Sequence, residues 1–263
     1  MAAPCRTLNT GDPWIWVQKG WCDLRHAPRQ SLTWGVALVL LSYLVSAAAW
    51  RWGNLGLYLG LVSGFVFVGP WLALTLYAIS RRLELGRQVS LARSIADAAQ
   101  SVRSALFFAV ILIVLLLVWA RAANTLYIFF PATADPAWSD LVLFLAIGTA
   151  VGAGFSAVVF AVSAFSLPML MDRRADAVTA VVTSVNAVLR NKRPMLVWAA
   201  IIVAGVVVGA LTAWIAFLVI LPLLGHGTWH AYRATIDADE WPSLAPVDWA
   251  DRERAVMQKK SEL

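Results

Sequence analysis

The stretch that decides the fold runs from Leu55 to Arg82 and reads LGLYLGLVSGFVFVGPWLALTLYAISRR. It contains no charged residue before Arg81. At 1.5 Å per residue, its roughly 25 apolar residues exceed the hydrocarbon core of a bilayer, which is about 30 Å thick. The stretch therefore predicts a transmembrane helix, and the two arginines that close it indicate the cytoplasmic side of the membrane.

Composition extends this prediction to the rest of the chain. Of its 263 residues, 60% are hydrophobic and 14% are charged, whereas a soluble domain has about 25% charged residues. The net charge of +6 comes from basic residues that flank apolar stretches, a pattern of membrane topology and not of nucleic-acid binding. No apolar signal-peptide region precedes the first span. Neither Cys5 nor Cys22 has a CxxC partner or a nearby histidine cluster, which indicates reduced, cytoplasmic thiols.

Six apolar stretches are predicted to cross the membrane, in three helical-hairpin units. The predicted spans are about residues 31–50, 55–80, 104–123, 140–171, 195–210 and 213–232. The fold class is therefore all-α and polytopic, and the repetition of the unit predicts an internal repeat. The membrane domain is expected at residues 14–235, between a flexible N-terminus at 1–13 and a flexible cytoplasmic tail at 236–263.

A short amphipathic helix is expected at the membrane interface before each hairpin. The predicted apolar faces are Trp14, Val17, Trp21 and Leu24 in the first helix, Leu91, Ile95, Ala98 and Val102 in the second, and Val178, Val181, Val182, Val185, Val188 and Leu189 in the third. Asp97 in the second helix and Thr183 in the third are assigned to the opposite, polar faces.

The last hydrophobic block, residues 195–232, holds no Asp, Glu, Lys or Arg. As a single helix it would be about 57 Å long, so a tight turn near Gly209 to Trp214 is predicted. With two crossings there, only Arg51 and Arg121 of the 21 lysines and arginines lie outside the cytoplasm. Both termini are then cytoplasmic. Five spans with the basic tail outside is the alternative, which the charge bias disfavours.

Small residues and prolines are the candidate structural sites within the spans. Glycines at four-residue spacing predict close helix packing at Gly56, Gly60, Gly64, Gly148 and Gly152. A proline in each returning span predicts a helix kink at Pro70, Pro168 and Pro222. Matching breaks in repeated units can also mark a transport site. A water-filled cavity lined by Ser63, Thr75, Ser156, Ser163 and Ser166 would favour that role.

His226 and His230 are the candidate metal or haem ligands, because residues four apart share one helix face. Neither has a cysteine or carboxylate within a few residues, and the chain has three histidines in total. The favoured interpretation is that both lie near the cytoplasmic interface and hydrogen-bond to headgroups, water or a loop. No cofactor is expected.

Four motifs carry a resemblance to a known family. They are WVQKGWCDL at residues 16–24, GPWLALTLYAISRRLE at 69–84, SLPMLMDR at 166–173 and LPLLGHGTWHAYR at 221–233. From about Trp14 to Arg233 the chain resembles the predicted bacterial integral membrane proteins of domain of unknown function 2189. The resemblance implies a multi-pass protein of the inner membrane of Gram-negative bacteria, and it implies no activity.

Three functions stay open at the level of sequence. No enzyme motif is present, and the spans carry no ionisable residue of the kind that couples proton or ion transport. These observations favour a scaffold or accessory subunit of a membrane complex. The alternatives are a permease for a small neutral or lipid-like molecule and a haem- or metal-binding redox subunit. The expected partners are the lipid bilayer and other membrane proteins, with no nucleic acid.

Overall fold

A computed structural model describes residues 2–52, 72–127 and 138–244 of the chain. These ranges are helical, and the extended pairing within them is limited to two isolated bridges, Cys5 with Ile236 and Arg173 with Ser243. Three described stretches are long and apolar enough to cross a membrane: Val102–Leu126, Trp138–Asp172 and Lys192–Leu211. The predicted all-α membrane fold is confirmed at this level.

The helices are labelled α1 to α10 in chain order. They are α1 (Asp12–His26), α2 (Pro28–Trp52), α3 (the helical residues 72–84), α4 (Leu91–Gln100), α5 (Val102–Tyr127), α6 (Trp138–Ser163), α7 (Ser166–Asp172), α8 (Ala177–Arg190), α9 (Lys192–Leu211) and α10 (Phe217–Thr235). The predicted span at 55–80 lies partly outside the described residues, because only its part from residue 72 onward is described.

The turn that divides the last hydrophobic block lies at residues 212–216, between α9 and α10. Ala213 and Trp214 adopt positive φ values of 47° and 69° there, which is costly for residues with a side chain. A side chain at Gly209 would collide with the ring of Phe217, so glycine lets the two helix ends approach. The turn begins within the range predicted from sequence.

The predicted fourth span is two helices, because the chain turns at residues 164–165 between α6 and α7. The Phe165 backbone N–H donates to the Ser184 hydroxyl at 3.0 Å, and that hydroxyl donates to the Ala161 carbonyl at 2.7 Å. A side chain of α8 thereby satisfies backbone groups that the break leaves unpaired. Pro168 lies in the first turn of α7, where proline is tolerated.

The core is centred on α10, which packs against α1, α2 and α9. Trp16, Trp198 and Trp229 are fully buried around it, and the rings of Trp16 and Trp198 meet edge to face at 5.6 Å between centroids. Gly20 of α1 lies against the backbone of α10, where an added Cβ would be 2.8 Å from the Gly227 nitrogen. Glycine is therefore required for this approach.

The amphipathic helices pack differently from the predicted faces. In α1, Trp14 and Trp21 are exposed, whereas Trp16, Gly20 and Asp23 are buried against other helices. In α8, Thr183 and the small residues Ala177, Ala180, Ser184 and Ala187 are buried, whereas Val178, Val182 and Leu189 are exposed. Thr183, which was predicted on the polar face opposite the valines, is therefore buried within the bundle. Small side chains let α8 approach α6 and α7 closely, and the larger apolar side chains then face outward.

Segments at both ends of the chain are docked on the same end of the helix bundle. The Ala3 backbone N–H donates to the Thr183 hydroxyl at 2.9 Å, and that of Arg6 donates to the Thr235 carbonyl at 2.8 Å. The Leu244 N–H in turn donates to the Asp172 carbonyl at 2.8 Å. These contacts lie within the N-terminus and tail that were predicted to be flexible. The tail beyond residue 244 is outside the described residues.

Candidate functional site

A layer of charged and polar side chains lies at the ends of five helices, in three hydrogen-bonded clusters that are buried or half-buried except at Glu84 and Arg233. We call it the polar layer, and it consists of Asp23 of α1, Ser31 of α2, Ser80, Arg81 and Glu84 of α3, Asp172 of α7, and His226, Trp229, His230, Tyr232 and Arg233 of α10. It lies where α1, α3, α7 and α10 end and where α2 begins. Because apolar residues dominate the sequence around it, its members must satisfy one another.

Asp172 is the acceptor at the centre of the polar layer. Its Oδ2 accepts from the Tyr232 hydroxyl and from Arg173 Nε, both at 2.9 Å. Its Oδ1 lies 3.5 Å from Nε of Arg81, which is almost fully buried. Burial lowers the pKa of Arg81, and the charge of Asp172 opposes that effect. One carboxylate thus stabilises the ends of three helices, α3, α7 and α10.

A second carboxylate connects α3 to α10 at the edge of the layer. Glu84 Oε2 accepts from the Trp229 indole N–H at 2.9 Å, and its Oε1 accepts from Arg233 Nε at 3.1 Å. Arg233 Nη1 also lies 3.6 Å from Asp172 Oδ2. Arg233 therefore bridges the two carboxylates.

His226 is fully buried, and each of its ring nitrogens has a hydroxyl partner. Nε2 lies 2.9 Å from the Ser31 hydroxyl, and Nδ1 lies 2.8 Å from the Ser80 hydroxyl. The predicted environment of headgroups or water is therefore wrong for this residue. A metal ion could bind His226 only by displacing one of these hydrogen bonds.

His230 does not share the surroundings of His226. Its Nε2 lies 2.8 Å from Asp23 Oδ2 of α1, so the pair links α1 to α10. The described residues contain no group of three or more His, Cys, Asp or Glu side chains that could hold a metal ion. His226 thus links α10 to α2 and α3, and His230 links α10 to α1.

A buried ion pair extends the polar layer to α4. Arg82 Nε lies 2.6 Å from Asp97 Oδ2, and both side chains are almost fully inaccessible. Asp97, which was predicted on the polar face of its helix, is therefore buried. Its position is explained by Arg82, since a buried guanidinium requires a nearby negative charge.

An apolar groove is lined by α5, α6 and α9 and by the end of α8. Its volume is about 1190 Å³, somewhat larger than the usual ligand cavity of about 300–1,000 Å³. Its walls include Leu115, Trp119, Phe155, Phe160, Ala199 and Ile202. Polar side chains at its lining are limited, among the described residues, to Ser156, Ser163 and Lys192. The groove suits an apolar molecule.

Two of the five serines and threonines proposed for a water-filled cavity, Ser156 and Ser163, line this groove. Thr75 and Ser166 are buried within the helix bundle instead, and Ser63 lies outside the described residues. Ser163 donates its hydroxyl to the Val159 carbonyl one turn earlier, at 2.7 Å. The lining is therefore apolar, and the described serines and threonines do not together line the predicted water-filled cavity.

The structure describes only some of the predicted packing glycines and kink prolines. Gly56, Gly60, Gly64 and Pro70 lie outside the described residues. An added Cβ at Gly152 would be 3.5 Å from Trp119, and one at Gly148 would meet no described atom within 4 Å. The closest backbone approaches involve Gly20 and Gly35 instead. Pro222 lies inside α10, which continues through it.

The four motifs of the family resemblance meet in the polar layer. Asp23 comes from the first motif, Arg81 from the second, Asp172 from the third and Tyr232 from the fourth. The motifs are recognisable in the sequence, but their contact in the fold was not predicted. One signal in the sequence could have predicted this contact. Each motif has a carboxylate or a histidine near a helix end, among residues that are too apolar for a solvent-exposed surface.

The three long apolar helices are those of an integral membrane protein. A family model described as "Predicted integral membrane protein (DUF2189)" matches residues 57–172. This match confirms the resemblance over that segment, which is less than half of the chain and ends before the fourth motif. No curated protein and no solved structure matches the chain.

Proposed function

We propose that this protein binds a lipid-like molecule in the apolar groove, which would receive it from the surrounding bilayer. The observation that carries the proposal is the groove's lining, apolar on α5, α6 and α9 and polar only at Ser156, Ser163 and Lys192 among the described residues. An acyl chain gains free energy in such a space by dispersion contacts with the walls, whereas a polar solute would leave its hydrogen bonds unmade.

The dimensions of the groove fit one leaflet of the bilayer. Its lining on α9 runs from Lys192 to Val203, a rise of about 16 Å along a helix. This is roughly half of a hydrocarbon core about 30 Å thick. The groove therefore has the length for one lipid's chains. Release of such a lipid to the other leaflet, as a permease would require, needs a second opening and is a further step.

The proposal includes the orientation of the protein in a bacterial inner membrane. We infer six spans with both termini in the cytoplasm. The contact of Arg6 with Thr235 supports this orientation, because it brings the start of the chain to the end of α10. The basic residues Arg81, Arg173 and Arg233 lie at that same end, as the positive-inside rule expects of the cytoplasmic face.

Topology is tested with reporter fusions in living bacteria. Fusions after Arg82, Arg174 and Glu262 should all report the cytoplasm, and those after Trp52 and Ala132 should report the periplasm. A periplasmic report after Glu262 would contradict the six-span arrangement and favour five spans.

Lipid binding is tested by photolabelling the purified full chain in vesicles that contain a phospholipid with a diazirine on its acyl chain. We expect crosslinks on peptides of α5, α6 and α9 that contain groove residues. Ala199→Phe should fill the groove and remove these crosslinks, whereas Ala200→Phe is the matched control, because Ala200 is exposed and does not line the groove. Equal labelling of both variants would contradict the proposal.

The other functions predicted from sequence have less support. A scaffold or accessory subunit needs a surface for a partner protein, and the exposed apolar residues of α5 and α6 serve contact with lipid equally well. A redox subunit would need ligands, and both nitrogens of His226 already have hydroxyl partners. Lipid binding is the function that a specific feature of the described residues favours.

A further inference from the structure

We infer that the groove selects lipids with an anionic headgroup and that Lys192, with its neighbours Arg190 and Arg193, binds that headgroup. This inference rests on the proposed function, and it names the chemical class of the ligand. Lys192 lines the groove, whereas Arg190 and Arg193 lie within two residues of it at the junction of α8 and α9.

The position of Lys192 relative to the groove is the first argument. Its neighbours in the lining include Ser163, at the end of α6, and Leu189, near the end of α8. The rest of the lining extends from there along α5, α6 and α9. The ammonium group is thus carried at one end of an apolar space, which is the arrangement of headgroup and tail in an amphipathic lipid.

The charge state of this cluster is the second argument. Arg190, Lys192 and Arg193 are all exposed, and none of them forms an ion pair with a carboxylate of the described residues. Elsewhere in the described chain, buried arginines such as Arg81 and Arg82 are paired with Asp172 and Asp97. Lys192 lines the end of the groove, and Arg190 and Arg193 lie within two residues of it in the chain. This cluster of cations complements a phosphate that carries a net negative charge, and a zwitterionic headgroup suits it less well.

Anionic lipids are present in the cytoplasmic leaflet, which is the leaflet that the proposed orientation places next to Lys192. Each basic residue near the surface strengthens their binding. If the groove opens to that leaflet, an anionic lipid can enter sideways, with its chains against Leu115 and Ile202 and its phosphate near Lys192.

The experiment compares two diazirine-labelled lipids in vesicles of equal phosphatidylcholine and phosphatidylglycerol content. In one set the probe is phosphatidylglycerol, and in the other it is phosphatidylcholine with the same chains. The groove variant is Arg190→Gln/Lys192→Gln/Arg193→Gln. The matched control is Lys19→Gln/Arg25→Gln/Arg29→Gln, which removes the same charge from exposed positions that do not line the groove.

We expect the unmodified protein to crosslink phosphatidylglycerol in the groove about fivefold more than phosphatidylcholine. This is the preference that a single basic residue near the membrane surface provides for an anionic lipid. The groove variant should lose this preference and keep its labelling by phosphatidylcholine, and the control should retain the preference. Equal labelling of the groove by both lipids, or equal loss of preference in the control, would overturn the inference and leave lipid binding intact. Absence of groove labelling by either lipid would overturn the proposed function itself.

Discussion

The Tyr232 hydroxyl donates to Asp172 Oδ2 at 2.9 Å, and both side chains are buried. This bond joins the end of α10 to the end of α7, beside the Arg81 guanidinium of α3. Both residues are shielded from solvent, so the bond is formed where water is a poor competitor. The polar layer therefore holds the helix ends together through a few charged groups, whereas the groove between α5, α6 and α9 is lined almost entirely by apolar side chains.

Asp172→Asn should strongly destabilise the protein. The amide cannot neutralise Arg81, and an unpaired buried charge costs about 3–5 kcal/mol. Asp239→Asn is the matched control, because Asp239 also pairs with Arg173 at 2.9 Å but its side chain is 82% exposed, and such pairs contribute at most about 1 kcal/mol. Thermal unfolding in mild detergent measures both. Similar unfolding temperatures for the two variants would contradict the prediction that the buried charge of Arg81 requires the carboxylate of Asp172.

His226→Leu should destabilise the protein by about 1–3 kcal/mol, because it leaves buried hydroxyls without their partner. The triple variant Ser31→Ala/Ser80→Ala/His226→Leu should recover most of this loss, since no polar group then remains unpaired. Denaturant unfolding in detergent gives the two free energies. A triple variant less stable than the single one would mean that His226 is required for more than its hydrogen bonds, and metal binding would then need direct measurement.

Gly20→Ala should destabilise the contact of α1 with α10. The new methyl group would be 2.8 Å from the Gly227 nitrogen and from the Leu223 carbonyl oxygen, and backbone atoms can yield only if a helix moves. Gly148→Ala is the control, because no described atom lies within 4 Å of that position. It should be neutral or stabilising by up to about 1 kcal/mol, through helix propensity. The order of the two thermal unfolding temperatures checks the prediction, and a reversed order would contradict it.

Asp176→Ala should destabilise α8 by about 1 kcal/mol at neutral pH, through loss of a helix N-cap. The hydroxyl of Thr179, at 2.7 Å, and its backbone N–H, at 2.8 Å, lower the pKa of Asp176. A carboxylate with a lowered pKa in the folded state stabilises above its unfolded pKa of about 3.9, and this stabilisation is lost as pH falls through the folded value.

The difference in stability between the native protein and Asp176→Ala should therefore shrink below about pH 4. Asp176→Asn, which caps without titrating, should differ from Asp176→Ala by a constant amount over the same range. Unfolding temperatures between neutral pH and pH 3 provide the test. A difference between the native protein and Asp176→Ala that does not change with pH would contradict the cap's ionic character.

The sequence was sufficient for the helices that continuous apolar runs define. Residues 104–123 became α5, and the turn after α9 begins within the predicted range, because the block at 195–232 is too long for one crossing. The orientation of the amphipathic helices was not predictable in this way. In α8 the small side chains of Ala180 and Ser184 are the buried face, since they permit closer packing than valine does.

The polar layer also lay beyond sequence reasoning, for a physical reason. Ser31 and His226 are separated by 195 residues, and Asp23 and His230 by 207. Periodicity indicates which face of a helix is apolar, but it does not indicate which other helix packs against either face. The groove is likewise a space between helices that are distant in sequence, so neither its apolar lining nor the position of Lys192 could be predicted.

The central claim is tested most directly by an experimental density map of the groove. An experimental structure of the full chain in a bilayer of phosphatidylglycerol and phosphatidylcholine should contain elongated, acyl-chain density between α5, α6 and α9, ending near Lys192. A groove that is filled with water, or closed by side chains of α5 and α9, would contradict the proposal that this protein binds a lipid-like molecule.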